Sequence, residues 1–315
     1  MLDLKDKWVW DFWFYMEGAE QHIFFLQAPK SLGDERYRHF NASIGHAKSM
    51  DLINWNVLPD VLGPGAAGAW DDQATWTGCT FKNGEIYYLF YTGVNKKEQG
   101  LVQRIGVATS KDLIHWEKHE GNPIIEADQR WYEILDLNAW HDQAWRDPWV
   151  FAYKGQFHAY ITARVNYGEA DGRGVIAHAV SNDLLNWEVQ PPITEPGNFG
   201  QLEVPQLIEV DSIPYLLFST DRFTHSKTLL DRTKNPPVTG FACYQGATLL
   251  GPFTHTDDPW LFCSEEGSLY SGKFIDASAS GWRLMAFENY SIDSEFIGRI
   301  SNPFLVKKFK TLAVS

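Results

Sequence analysis

Cysteine is scarce in this chain: 3 among 315 residues, Cys79, Cys243 and Cys263, with neither the even count of a disulfide framework nor the spacing of a metal site. A reducing, cytoplasmic compartment is the expectation. Basic residues are outnumbered, 27 Lys and Arg against 40 Asp and Glu, for a formal charge of −13 and no basic stripe. Nucleic acid and anionic membrane surfaces are therefore not expected partners. No apolar run approaches the roughly 18 residues of a membrane span. The opening MLDLKDKWVWDFWF lacks the apolar core and cleavage site of a signal peptide. Long amphipathic helical periodicity is also missing, so helices should be few.

Two further absences narrow the chemistry. The histidines, His39, His46, His115, His141, His158 and His178 among them, show no ligand spacing, so no catalytic metal is expected. The Gly-rich stretch GPGAAGAW from Gly63 lacks the Lys and the following helix of a phosphate loop. It reads as a flexible loop, and no cofactor is expected.

What the chain does have is aromatic residues and a repeat. Aromatics make up 15% of the residues, including 14 Trp, which suits β structure and stacking on the apolar faces of sugars. SMDLINWN from Ser49, SKDLIHWE from Ser110 and SNDLLNWE from Ser181 share the form Ser-x-Asp-Leu-x-x-Trp at separations of 61 and 71 residues. In each, Ser and Asp can cap local backbone groups while Trp packs between neighbouring units. Strand-like runs precede the second and third copies, EIYYLFYTG with RIGVATS and QFHAYITARV with GVIAHAVS. A fourth unit (GFACYQGATLLGPFTHT) and a fifth (SLYSGKFI, then WRLMAFEN) keep the strand pattern without the turn. Five units of about 63 residues, each of several strands, predict an all-β fold, a five-bladed β-propeller.

A propeller brings the openings of its innermost strands together on the axis. The candidates are WVWDFWFY at Asp11, ATWTGCTF at Trp76, AWRDPWVF at Asp147, QLEVPQLI at Glu203 and SLYSGKFI near Ser268, spaced by 65, 71, 56 and 65 residues. Three of these openings carry a carboxylate. One such Asp beside Arg146 could be a salt-bridged strand cap, but three at matching blade positions point to a carboxylate site. Glycoside cleavage uses such a set: one carboxylate as nucleophile, a second protonated to donate to the leaving oxygen, and a third to hold hydroxyls at the transition state. If Asp11 is the nucleophile it must be ionised while Glu203 is protonated.

The same residues resemble the clan of invertase-type and levansucrase-type glycoside hydrolases, families 32 and 68. Trp10-Asp11, Arg146-Asp147-Pro148 and Glu203-Val204-Pro205 are similar, in order and spacing, to that clan's nucleophile, its Arg-Asp-Pro transition-state stabiliser and its acid/base. FFLQAP ending at Pro29, IGHAKSMDLINW and ATWTGCTF resemble three further clan segments, and the resemblance spans nearly the whole chain. It implies Asp11, Asp147 and Glu203 as catalytic residues, with Trp10, Gln27, Trp76, Thr77 and Arg146 binding substrate. It also implies a retaining fructosidase or fructosyltransferase acting on sucrose or a short fructoside through a covalent intermediate.

Departures from the clan are visible. The nucleophile lies in Trp10-Asp11-Phe12-Trp13, nearer to levansucrases than to invertases, His39 falls where invertases carry a pocket Trp, and Val204 follows the acid/base in place of Cys or Arg. Invertases append a β-sandwich, for which a chain ending at Ser315 leaves no room, so a single domain over residues 1–315 is expected. The competing readings are an inverting arabinanase- or xylosidase-like propeller, whose first Asp would be a general base, and a non-catalytic sugar-binding propeller.

Overall fold

The computed structural model describes residues 1–254, 258–276 and 281–306, so the last two residues of the fourth sequence unit lie outside it. Its strands form five antiparallel sheets. The first blade holds β1 (Lys7–Glu17), β2 (Glu20–Pro29), β3 (Ser43–Ser49) and β4 (Asn56–Leu62). The second holds β5 (Ala74–Asn83), β6 (Ile86–Val94), β7 (Arg104–Ser110) and β8 (Glu117–Lys118), and the third β9 (Trp145–Tyr153), β10 (Gln156–Arg164), β11 (Gly174–Ser181) and β12 (Trp187–Gln190). The fourth contains β13 (Glu203–Val210), β14 (Ile213–Thr220), β15 (Thr239–Gly246), β16 (Phe253–Thr254) and β17 (Trp260–Ser264). The fifth contains β18 (Leu269–Asp276), β19 (Trp282–Tyr290), β20 (Phe296–Ile300) and β21 (Phe304–Leu305). Among the described residues the one α-helix is the seven-residue α1 (Lys227–Thr233), capped by the Ser226 hydroxyl.

Each blade is a meander whose first strand is innermost, and all five expected openings fall on those first strands or immediately before one. Tight hairpins set the register. Lys154-Gly155 and Asp211-Ser212 join their strands with positive φ at both positions, the backbone twist that matches paired strands.

The repeated motif is the outer turn of blades one to three. In the third copy the Ser181 hydroxyl accepts from the Asp183 and Leu184 amides at 3.1 and 2.9 Å, while Asp183 Oδ1 accepts from the Leu185 and Asn186 amides at 2.9 and 2.7 Å. The turn carries Leu52, Leu113 and Leu184 at φ of 62, 64 and 69°, and all three side chains are buried. Those contacts offset a conformation that a branched side chain otherwise resists. Trp116 then meets Phe24 of the preceding blade and Trp187 meets Phe90, whereas Trp55 stacks on Phe14 of its own blade.

Blades four and five lack the turn and differ at the rim. In blade four β16 and β17 share the outer edge of β15, and in blade five β20 and β21 share that of β19. The outer side of β20 is then covered by the N-terminal segment: Leu2 and Ile300 exchange both backbone hydrogen bonds at 3.0 Å. This closes the ring without leaving a free edge there. The core follows the ring in three clusters, one joining blades one to three with part of blade five, the others bridging blades three to four and four to five.

Candidate active site

Every innermost strand carries a β-bulge within its opening residues. The register slips by one residue between Trp10 and Phe12, between Trp76 and Gly78, at Asp147-Pro148 opposite Ile161, at Val204-Pro205 opposite Phe218, and at Ser271-Gly272 opposite Ala286. Bulges re-aim a side chain that would otherwise alternate in or out of the sheet. Asp147, Val204 and Ser271 sit at φ of 58, 48 and 49°, a strained region for residues with a side chain. Gly78 serves the second bulge differently: a Cβ there would lie 1.7 Å from the Phe90 carbonyl oxygen, so only glycine permits the approach.

The displaced amides are satisfied by the blade before. The Asp147 amide donates to Thr92 Oγ1, the Val204 amide to Asp147 Oδ2 and the Ser271 amide to Ser219 Oγ, each at 3.0 Å. These bonds tie the openings of blades three, four and five each to the blade before and so help to fix where Asp147 and Glu203 point.

Asp11, Asp147 and Glu203 line one cavity of about 280 Å³ with Arg146, Trp76, Thr77, His39, Gln103, His141, Asp142 and Gln201. Arg146 is its hub. One guanidinium nitrogen donates to Glu203 Oε1 at 2.6 Å and Gln201 Oε1 at 2.8 Å, another donates to Gln103 Oε1 at 3.0 Å, and Nε lies 3.7 Å from Asp147 Oδ2. Thr162 Oγ1 donates to Asp147 Oδ2 at 3.0 Å. From blade five the Tyr270 hydroxyl donates to Glu203 and the Ser271 hydroxyl to Asp11.

Burial acts on the proton affinities of two of these acids. Burial pushes Asp11 up to about 7, against the Ser271 hydrogen bond, and the charges of Asp147 and Glu203 add to the rise. Burial also raises Asp147, opposed chiefly by Arg146. Glu203 holds the direct ion pair with Arg146. For Asp11 the direction is opposite to what attack at neutral pH asks of a nucleophile, because burial outweighs both the Ser271 hydroxyl bonded to it and the charge of Arg38. His39 is pushed down to about 3 by burial and by the charges of Arg38 and Arg146, so its imidazole stays neutral.

Of the residues the resemblance nominates for binding, Arg146, Trp76 and Thr77 stand on the cavity wall. Trp10 and Gln27 do not. Trp10 is buried behind His39, ring edge to ring at 5.9 Å, and Gln27 lies inside blade one, donating to Ser43 Oγ at 3.3 Å. Tyr270, Ser271, Gln103, Gln201 and Asp142 were not legible as site residues. The positions of Tyr270 and Ser271, two and three residues past the Ser268 opening, were the one available signal. No group of three or more His, Cys, Asp or Glu suited to holding a metal occurs among the described residues.

Comparison with known proteins agrees with this geometry. Residues 12–238 match the glycosyl hydrolases family 32 N-terminal domain. That span holds Asp147 and Glu203 but begins one residue after Asp11 and stops before blade five. The chain is 28% identical over 204 residues to a sucrose-6-phosphate hydrolase of Streptococcus mutans, covering 63% of this chain and 38% of that protein. It is 31% identical over 176 residues to an insoluble β-fructofuranosidase isoenzyme of Arabidopsis thaliana, covering 52% and 27%. The chain thus spans well under half the length of these relatives. In structure it resembles an inulosucrase from Halalkalicoccus jeotgali bound to kestose, with a TM-score of 0.76 at 20% identity, covering 93% of this chain and 79% of that one. The five blades and the matched span together place this chain in glycosyl hydrolase family 32.

Proposed function

We propose that this protein is a retaining glycoside hydrolase, with transglycosylase capacity, acting on terminal fructosyl units of sucrose or short fructosides. The observation that carries the reading is the meeting of Asp11, Asp147 and Glu203 in one cavity around Arg146. Asp11 attacks the anomeric carbon, and Glu203 protonates the departing glycosidic oxygen. Glu203 then takes a proton from water, or from a second sugar, which discharges the intermediate from Asp11. Asp147 and Arg146 hold the ring hydroxyls and stabilise the positive charge that develops at the transition state. The sugars named for the relatives, sucrose 6-phosphate and kestose, support a small carbohydrate substrate. The odd count of three cysteines, two of them buried, supports residence in a reducing compartment such as the cytoplasm.

The test is a screen of sucrose, short fructo-oligosaccharides and arabinosides, with the first-formed product anomer read by NMR. Release of fructose with retained configuration is expected. An inverted product would make Asp11 a general base, and no turnover of any sugar would favour a binding propeller.

A further inference from the structure

Lys273 on β18 is 3% exposed, far from the solvated surface lysines usually occupy. Its amine donates to the Val204 carbonyl at 2.5 Å and the Pro205 carbonyl at 3.4 Å, both at the bulge that follows Glu203. None of the ion pairs among the described residues includes it. The titratable groups that act on it come from three other innermost strands: Asp11 on β1, Cys79 on β5 and Asp147 on β9, while β13 offers the two bulge carbonyls. The Cys79 thiol is pushed up to about 12 by burial, so it adds no charge.

We infer that Lys273 is a positioning residue of the catalytic centre, a second buried cation beside Arg146, which pins the bulged backbone carrying Glu203 and lends positive charge to Asp11 and Asp147. A buried ammonium group facing only neutral acceptors is costly. A methionine of similar length would fill the same volume. What the amine alone supplies is two donors to bulge carbonyls and a further charge near Asp11 and Asp147, where Arg146 pairs most closely with Glu203 and Arg38 acts on Asp11 through its charge. The amine itself is lowered to about 8 by burial, with Asp147 and Asp11 opposing the fall, so it stays charged at neutral pH.

The inference rests on the catalytic reading of Asp11 and Glu203, and two measurements separate its failure from the failure of that reading. In the full chain labelled with 13Cε-lysine, the Lys273 resonance should titrate near pH 8, well below the ordinary lysine value of about 10.4. Its midpoint should fall by roughly half a pH unit or more in Asp11→Asn, which removes an anionic neighbour. This holds whether or not any fructoside is cleaved. In Lys273→Met the acid limb of kcat/KM should move up by about one pH unit, because Asp11 loses a cation, and kcat should fall on the order of tenfold. A lysine midpoint indifferent to Asp11→Asn, or an acid limb that stays in place in a folded Lys273→Met, would overturn the assignment. If Lys273→Met does not fold, the NMR comparison decides alone.

Discussion

At the outer edge of blade three, Ser181 and Asp183 satisfy the amides of residues 183 to 186 from within the same turn, each partner two or three positions away. At the channel, the Ser271 amide reaches Ser219, 52 residues off, and its hydroxyl reaches Asp11 across 260. Both places hold irregular backbone at positive φ, and both satisfy it with short polar side chains. They differ in range. The outer turn is a local device that can be copied from blade to blade, whereas the channel is a set of bonds between blades that exists only when the ring is closed. Damage at the rim should therefore cost stability and spare chemistry, and damage at the channel should do the reverse.

The largest effect should come from Asp11. Asp11→Ala should lower kcat on the order of 10⁴-fold or more for every substrate, with the fold intact, since no covalent intermediate can form. Loss of activity below tenfold would leave the channel without its nucleophile. Arg146→Lys should follow, with kcat/KM down on the order of 10²-fold. A single ammonium cannot serve Glu203, Gln201 and Gln103 at once as the guanidinium does. Unchanged kinetics would remove Arg146 from the site.

The pH profile sharpens the same comparison. With Asp11 raised to about 7, kcat/KM should fall tenfold for each unit below that pH. An acid limb centred near 4 would mean that burial does not govern this carboxyl. The stability consequence has a definite sign. A carboxyl raised in the folded state contributes stability that is fully present below its ordinary value and is lost as pH rises through about 7. Asp11→Asn escapes that loss. Its melting temperature should match the wild type near pH 4 and exceed it by several degrees at pH 8, as thermal denaturation at the two pH values would show. The smallest effect belongs to the rim: Ser181→Ala removes the acceptor of two amides and should cost about 1 kcal/mol in chemical denaturation, with kcat/KM unchanged. A matching loss of activity would show that rim and channel are not separable.

The amino-acid sequence by itself determined the parts of this protein that depend on neighbours along the chain. The Ser-x-Asp-Leu-x-x-Trp turns, the strand runs and their period announce five blades, because turn capping and strand alternation act over a few residues. The same period placed Asp11, Asp147 and Glu203 at strand openings, which is how the cavity's acids could be named in advance. Tertiary structure decided everything that depends on which blade lies beside which. It put Gln27 and Trp10 behind the wall, gave Arg146 to Glu203 in preference to its chain neighbour Asp147, and brought Tyr270, Ser271 and Lys273 from the last blade to the acids of the first and fourth. The five bulges belong here too. A one-residue slip against a partner strand leaves no mark in the hydrophobic pattern, yet it turns the side chains of the strand openings toward the axis, where burial raises Asp11 and Asp147 and Arg146 opposes the rise at Asp147.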